Sequence, residues 1–115
     1  MGCGALFVRP STVQKGSPAM IEFYPSDQFK MRNGQNYPNN YTMIRNNVTF
    51  NFSDVKHELI EASEMRHVLE IKSVKTEDAG NYHVDCGSYL GSTNTAFLNV
   101  TGLCYFCPIW LYVNH

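Results

Sequence analysis

The stretch from Leu69 to Val84 constrains this chain more than any other. It reads Leu69-Glu70-Ile71-Lys72-Ser73-Val74-Lys75-Thr76-Glu77-Asp78-Ala79-Gly80-Asn81-Tyr82-His83-Val84. Apolar and polar residues alternate at both of its ends, the period-two pattern of strands with one face on a core. Leu69, Ile71 and Val74 are assigned to that core. Beyond the Asp78-Ala79-Gly80 corner, the same parity puts Tyr82, Val84 and Cys86 on one face and His83 and Asp85 on the other.

Alternation dominates elsewhere too, and no helical period holds for long. Phe7 to Val13 reads as an edge strand interrupted at Pro10, because proline cannot donate to a ladder. Gly16-Ser17 turns the chain, and Ala19, Ile21 and Phe23 then alternate with Met20 and Glu22. Tyr41 to Arg45, Val48 to Phe52 and Glu58 to Glu61 are further strand candidates, and Asn33-Gly34 is a tight-turn signal. After the loop Ser88 to Asn94, Thr95 to Thr101 reads as a last strand with Leu98 and Val100 inward and Phe97 and Asn99 outward.

A length of 115 residues suits one domain with a modest core. A net charge of −1 gives no electrostatic case for nucleic acid or an acidic membrane surface. The lone Cys104-x-x-Cys107 lacks the second pair a zinc site needs, and the four His show no ligand spacing. There is no phosphate loop and no nucleophile elbow. The residues therefore point to a non-enzyme with no cofactor and no metal. Met1 to Ala5 lacks the basic and apolar regions of a secretory signal, so a mature fragment or a late-starting reading of the gene is expected. The apolar tail 103–115 is set apart from the domain. Its apolar run, Leu103 to Val113, is eleven residues long and too short to span a bilayer. It reads equally as a cut membrane segment, an edge-packing extension or a mispredicted exon.

The pattern L-x-I-x-x-V-x-x-x-D-A-G-x-Y resembles the passage from strand E to strand F of an immunoglobulin-superfamily domain, with the whole likeness running from Phe7 to Thr101. The resemblance implies an all-β, antiparallel, Greek-key sandwich over residues 1–102, and the long middle favours the variable type. Two departures stand out. Phe23 and Val84 occupy the positions of the usual inter-sheet cysteines, and the only tryptophan, Trp110, lies outside the pattern. Phe29 or Tyr41 could fill the place of the usual buried tryptophan.

The same resemblance implies roles for particular residues. Tyr82 should turn inward and bond its hydroxyl to backbone upstream, at a corner that also contains Gly80. Asp78 should pair with a basic residue, for which Lys56 or His57 is better placed in sequence than Arg45. Cys86 points into the core one step beyond the usual cysteine, and Cys3 lies near the start of strand A at that end of the sandwich. A Cys3–Cys86 disulfide is expected, with a free buried Cys86 thiol as the alternative. Asn40, Asn47, Asn51 and Asn99 begin N-glycosylation sequons, and an outward sugar at Asn99 would shield one end of its sheet.

On the same resemblance, His83, Asp85 and Phe97 form an outward patch, with Tyr89 and Leu90 at the neighbouring loop tip, and this is the expected partner-binding surface. A domain of this type without the usual cysteines and tryptophan resembles the outer domains of colonial-hydroid allorecognition receptors. That likeness implies a cell-surface glycoprotein that binds the same domain on an opposing cell, with any membrane contact made by other segments. A heterophilic receptor module and a structural spacer or truncated product are the alternatives.

Overall fold

The computed structural model describes residues 2–33, 41–50, 57–63 and 65–102. The alternating segments become strands β1 (Gly4–Arg9), β2 (Thr12–Gln14), β3 (Ala19–Pro25), β4 (Thr42–Arg45), β5 (Val48–Thr49), β6 (His57–Ala62), β7 (His67–Ile71), β8 (Gly80–Asp85) and β9 (Ala96–Thr101). Among the described residues a short α-helix, α1 (Asp27–Asn33), lies between β3 and β4, and a single 3-10 turn, Thr76–Asp78, precedes β8. Two sheets face each other, in the orders β1-β3-β7-β6 and β2-β9-β8-β4-β5. Pairing is antiparallel except for β2, which lies parallel to β9. Pro10 explains the split: it ends β1, and the chain switches sheets before β2 begins.

The inward parity follows the sequence reading. Leu6, Ile21, Phe23, Leu69, Ile71, Val74, Tyr82, Val84 and Leu98 are all fully buried or nearly so. Phe23 and Val84 therefore fill with apolar volume the space where cysteines were expected from the resemblance. Each such side chain contributes roughly 1.5–3 kcal/mol on burial.

Helix α1 was not expected, because seven residues are too few to show a period. Ser26 caps it: its Oγ accepts the Phe29 amide at 3.1 Å, and its carbonyl accepts the Lys30 amide. Asp27 in the first turn suits the helix dipole. The helix drives Phe29 into the core, where its ring centroid lies 5.6 Å from that of Phe23. Tyr41 lies 4.9 Å from Phe23 and 6.2 Å from Phe29, just before β4. The two candidates for the tryptophan position thus share it.

At the corner before β8 the Tyr82 hydroxyl donates to the Asp78 carbonyl at 2.5 Å. Burial pushes its pKa up to about 12, against a smaller opposite pull from Arg45, so it stays a donor across the physiological range. The expected partner of Asp78 needs correction. Arg45 pairs in register with Tyr82 across β4 and β8, and its Nη1 lies 3.1 Å from Asp78 Oδ1. His57 Nε2 is farther, at 3.9 Å, and Lys56 lies outside the described residues. Sequence distance misled here because the sheet, not the chain, sets the neighbour.

Asn46 and Asn47 form the two-residue turn between β4 and β5, with φ of 51° and 68°. Positive φ at both positions is the hairpin geometry that Asn tolerates. The Asn46 side chain then reaches the corner, accepting from the Asn81 amide at 2.9 Å and donating to the Ala79 carbonyl at 3.3 Å. Gly80 has φ of 140°, and a Cβ there would sit 2.2 Å from Asn46 Oδ1. Only glycine fits this position.

His67 is almost fully buried, with its Nδ1 2.5 Å from the Tyr41 hydroxyl. Burial pushes the imidazole below its ordinary range, and the Ser63 backbone offsets part of this. An imidazole in the unfolded chain takes its proton near pH 6.5, so below that pH the unfolded state binds more protons than the folded one. The stabilisation is complete above about pH 6.5 and is lost as pH falls through the folded value. The urea midpoint should therefore drop between pH 7 and pH 5, above the range where ordinary carboxylates titrate. In His67→Phe that slope should flatten; an unchanged slope would place the titration elsewhere.

Candidate protein-binding face

The outward surface of the sheet β2-β9-β8-β4-β5 carries three of the residues singled out from sequence, His83, Asp85 and Phe97. Phe97 projects from β9, opposite Asn81 of β8, and remains 53% exposed. His83 and Asp85 follow Asn81 along β8 at two-residue steps, both half-buried. Across the next ladder His83 faces Ile44 and Asp85 faces Thr42. The face is thus one exposed aromatic ring among small polar groups and one half-buried isoleucine. Ile44 was missed because nothing in the sequence told which sheet the Tyr41 to Arg45 segment joins; once β4 is paired with β8, its parity opposite buried Met43 identifies it.

Asp85 is less free than expected. Its Oδ1 accepts the Gly87 amide at 2.9 Å, which shapes the start of the loop. That loop is held from several sides. Cys86 is joined to Cys3, with the Cα atoms 6.2 Å apart, and no described cysteine is free. The Cys86 amide donates to the Gly91 carbonyl and the Gly91 amide to that of Gly87. Asn94 clamps the loop to β1, accepting from the Leu6 amide at 2.8 Å and donating to its carbonyl at 2.9 Å. Sequence reading passed over Asn94, since an isolated Asn in a loop carries no signal of a backbone clamp.

The tip residues differ from each other. Tyr89 is 77% exposed, whereas Leu90 is half-buried and packs against the core. The Leu90 carbonyl lies so close to Gly2 that a Cβ there would sit 1.8 Å from it. Between the tip and α1 runs a cleft of about 530 Å³ lined by Gly2, Gln28, Met31, Tyr89 and Leu90. Met31 is 85% exposed, and no sequence signal pointed to it.

Two sequons fall within the described residues, and Asn47 and Asn99 are both exposed. Asn40, Asn51 and the tail 103–115 lie outside them. Among the described residues there is no cluster of metal-ligating side chains, and no helix is long and apolar enough to cross a membrane.

No protein-family model matches the sequence, and no curated protein matches it. Solved structures do. The complex of titin M10 with the obscurin-like 1 Ig domain matches with a TM-score of 0.65 at 17% identity, over 89% of this chain and 95% of that one. The Ig1 domain of mouse SynCAM 2 matches with 0.62 at 17% identity, over 90% of this chain and 100% of that one. The Ig7 domain of Dscam1, isoform 5, matches with 0.61 at 17% identity, over 85% and 93%. With the sheet orders, the Tyr82 corner and these likenesses together, the chain has the immunoglobulin-like β-sandwich fold.

Proposed function

We propose that this chain is a variable-type recognition domain of a cell surface, with no enzymatic role, that binds a second copy of itself on an opposing cell. The observation that carries this reading is Phe97, an exposed aromatic ring on β9 among mostly polar neighbours. Aromatic anchors ringed by polar groups are what protein interfaces concentrate their binding energy in. Asn81, His83 and Asp85 would set register, and Tyr89 would extend the contact at the tip. The disulfide suits an oxidising, extracellular setting. A titin domain of this fold is seen in complex with another Ig domain, so Ig-on-Ig contact is one use of the architecture. The resemblance to hydroid receptors adds discrimination between self and near-self variants. Single contacts of this size are weak and depend on many copies per membrane.

The test is mixed-cell aggregation. Residues 1–102 are displayed on non-adherent cells and mixed with differently labelled cells bearing the same domain or none. Clumps made only of displaying cells are expected. Phe97→Asp should abolish most clumping while leaving surface expression and the unfolding midpoint unchanged, because Phe97 is not part of the core. Clumping that survives Phe97→Asp would exclude this face. Absence of clumping by the folded wild type would favour a heterophilic ligand, for which the cleft beside Met31 is of suitable size.

A further inference from the structure

The two described sequons sit in opposite local situations. Asn47 is the second residue of the exposed turn between β4 and β5, and Thr49 is exposed too. Acceptor sequons of this kind occur in surface loops. Asn99 instead lies within β9, a strand paired on both sides. Its amide donates to the Ser11 carbonyl at 2.7 Å, its Cα partner in β2 is Thr12, and the Thr101 hydroxyl of the same sequon reaches the Val13 carbonyl at 3.4 Å. Once β9 is paired, the backbone and hydroxyl of this sequon are engaged. Sugar transfer to Asn99 must therefore precede the closing of β9 between β2 and β8.

The two sites also differ in what a sugar would cover. Asn99 is two residues from Phe97 on the same outward side of β9, roughly 7 Å along the strand. An N-linked sugar is bulky and strongly hydrated. At Asn99 it would stand over the Phe97 side of the face. Asn47 lies in the turn that follows β4, just beyond the row of Asn46, Asn81 and Phe97, so it is at least two ladder steps from β9, roughly 10 Å or more across the sheet.

We propose that Asn99 is a partially occupied N-glycosylation site whose sugar closes the Phe97 face, while Asn47 is the more fully used site and leaves that face open. Occupancy at Asn99 is set by a race between sugar transfer and pairing of β9. One sequence then yields two forms, a bare form that can associate and a shielded form that cannot. The inference rests on the recognition reading above for its setting, but the shielding itself can be measured without any partner.

The protein is secreted from a glycosylating host and its glycopeptides are quantified. Higher occupancy at Asn47 than at Asn99, with a measurable fraction at each, is expected. The two Asn99 forms are then separated and labelled with hydroxyl radicals. Labelling of Phe97 should fall severalfold in the form carrying the Asn99 sugar, and Asn47→Gln should leave it unchanged. No sugar at Asn99, full occupancy at Asn99, or equal labelling of Phe97 in both forms would each overturn the proposal. In the cell assay Asn99→Gln should raise clumping. If Phe97 labelling shows shielding and yet neither Asn99→Gln nor Phe97→Asp changes clumping, the shielding stands and the assignment of the binding face falls.

Discussion

Replacing Cys3 and Cys86 together by serine is expected to destabilise the domain by about 4–5 kcal/mol. The bond joins residues 83 apart in sequence, and a crosslink closing so long a loop removes much of the freedom of the unfolded chain. Domains of this size are stable by only about 5–15 kcal/mol, so the variant should sit near the edge of folding at 37 °C. The effect should also be local. Cys86 follows the end of β8 and Cys3 precedes β1, so the bond ties the Tyr89–Leu90 loop to the N-terminal segment. Amide exchange should therefore quicken first at Cys86 and Gly91, whose hydrogen bonds close that loop. A shift in urea midpoint worth less than about 1 kcal/mol would mean that burial of Phe23 and Val84 already supplies the stability, with the bond adding little.

The parts of the fold legible in the sequence are those whose side chains alternate. The parity of Leu69, Ile71, Tyr82, Val84 and Leu98 placed them inward, and all are buried. Pro10 marked the split of the first strand for a reason local to one residue. The middle of the chain resisted because its determinants are not local. Helix α1 is specified by Ser26 capping and by the burial of a single side chain, Phe29, neither of which makes a pattern. The turn at Asn46-Asn47 lacks the glycine that usually marks a two-residue hairpin. The partner of Asp78 depended on the register between β4 and β8, which is a tertiary fact.

The candidate face divides in the same way. Outward parity on β8 and β9 follows from their inward residues, so His83, Asp85 and Phe97 group together from the sequence alone. What each group is free to do is not legible there. Asp85 is turned to the Gly87 amide, and Leu90 is packed beneath the tip. Ile44 joins the face only through β4, and Met31 joins the cleft only through α1. Residues supplied by neighbouring elements are invisible until the neighbours are known, while residues on the same strand are not.

Arg45→Met is expected to cost about 3–5 kcal/mol, and more than Asp78→Asn. The asymmetry follows from burial. Asp78 is fully buried, with Oδ2 accepting the Lys75 amide at 2.8 Å and Oδ1 facing Arg45 at 3.1 Å. Removing the guanidinium leaves a carboxylate inside the core without its nearest described cation, and the His57 imidazole stands 3.9 Å away. A buried charge without its partner is the costly half of such a pair. The converse change is gentler. The amide that replaces the carboxylate keeps a carbonyl for the Lys75 N–H and nearly the same shape, and the Arg45 side chain, 27% exposed, can regain water. Asp78→Asn should therefore cost only about 1.5–3 kcal/mol, the scale of one hydrogen bond to a charged group. Both changes lie beneath the Tyr82 corner, whose hydroxyl is bonded to the Asp78 carbonyl, so both should raise amide exchange at Ala79 and Asn81. Equal losses in the two variants, measured by urea unfolding at pH 7, would mean that the ion pair is better solvated than its burial implies. A larger loss for Asp78→Asn would shift the weight to the Lys75 amide bond as the interaction that holds the corner.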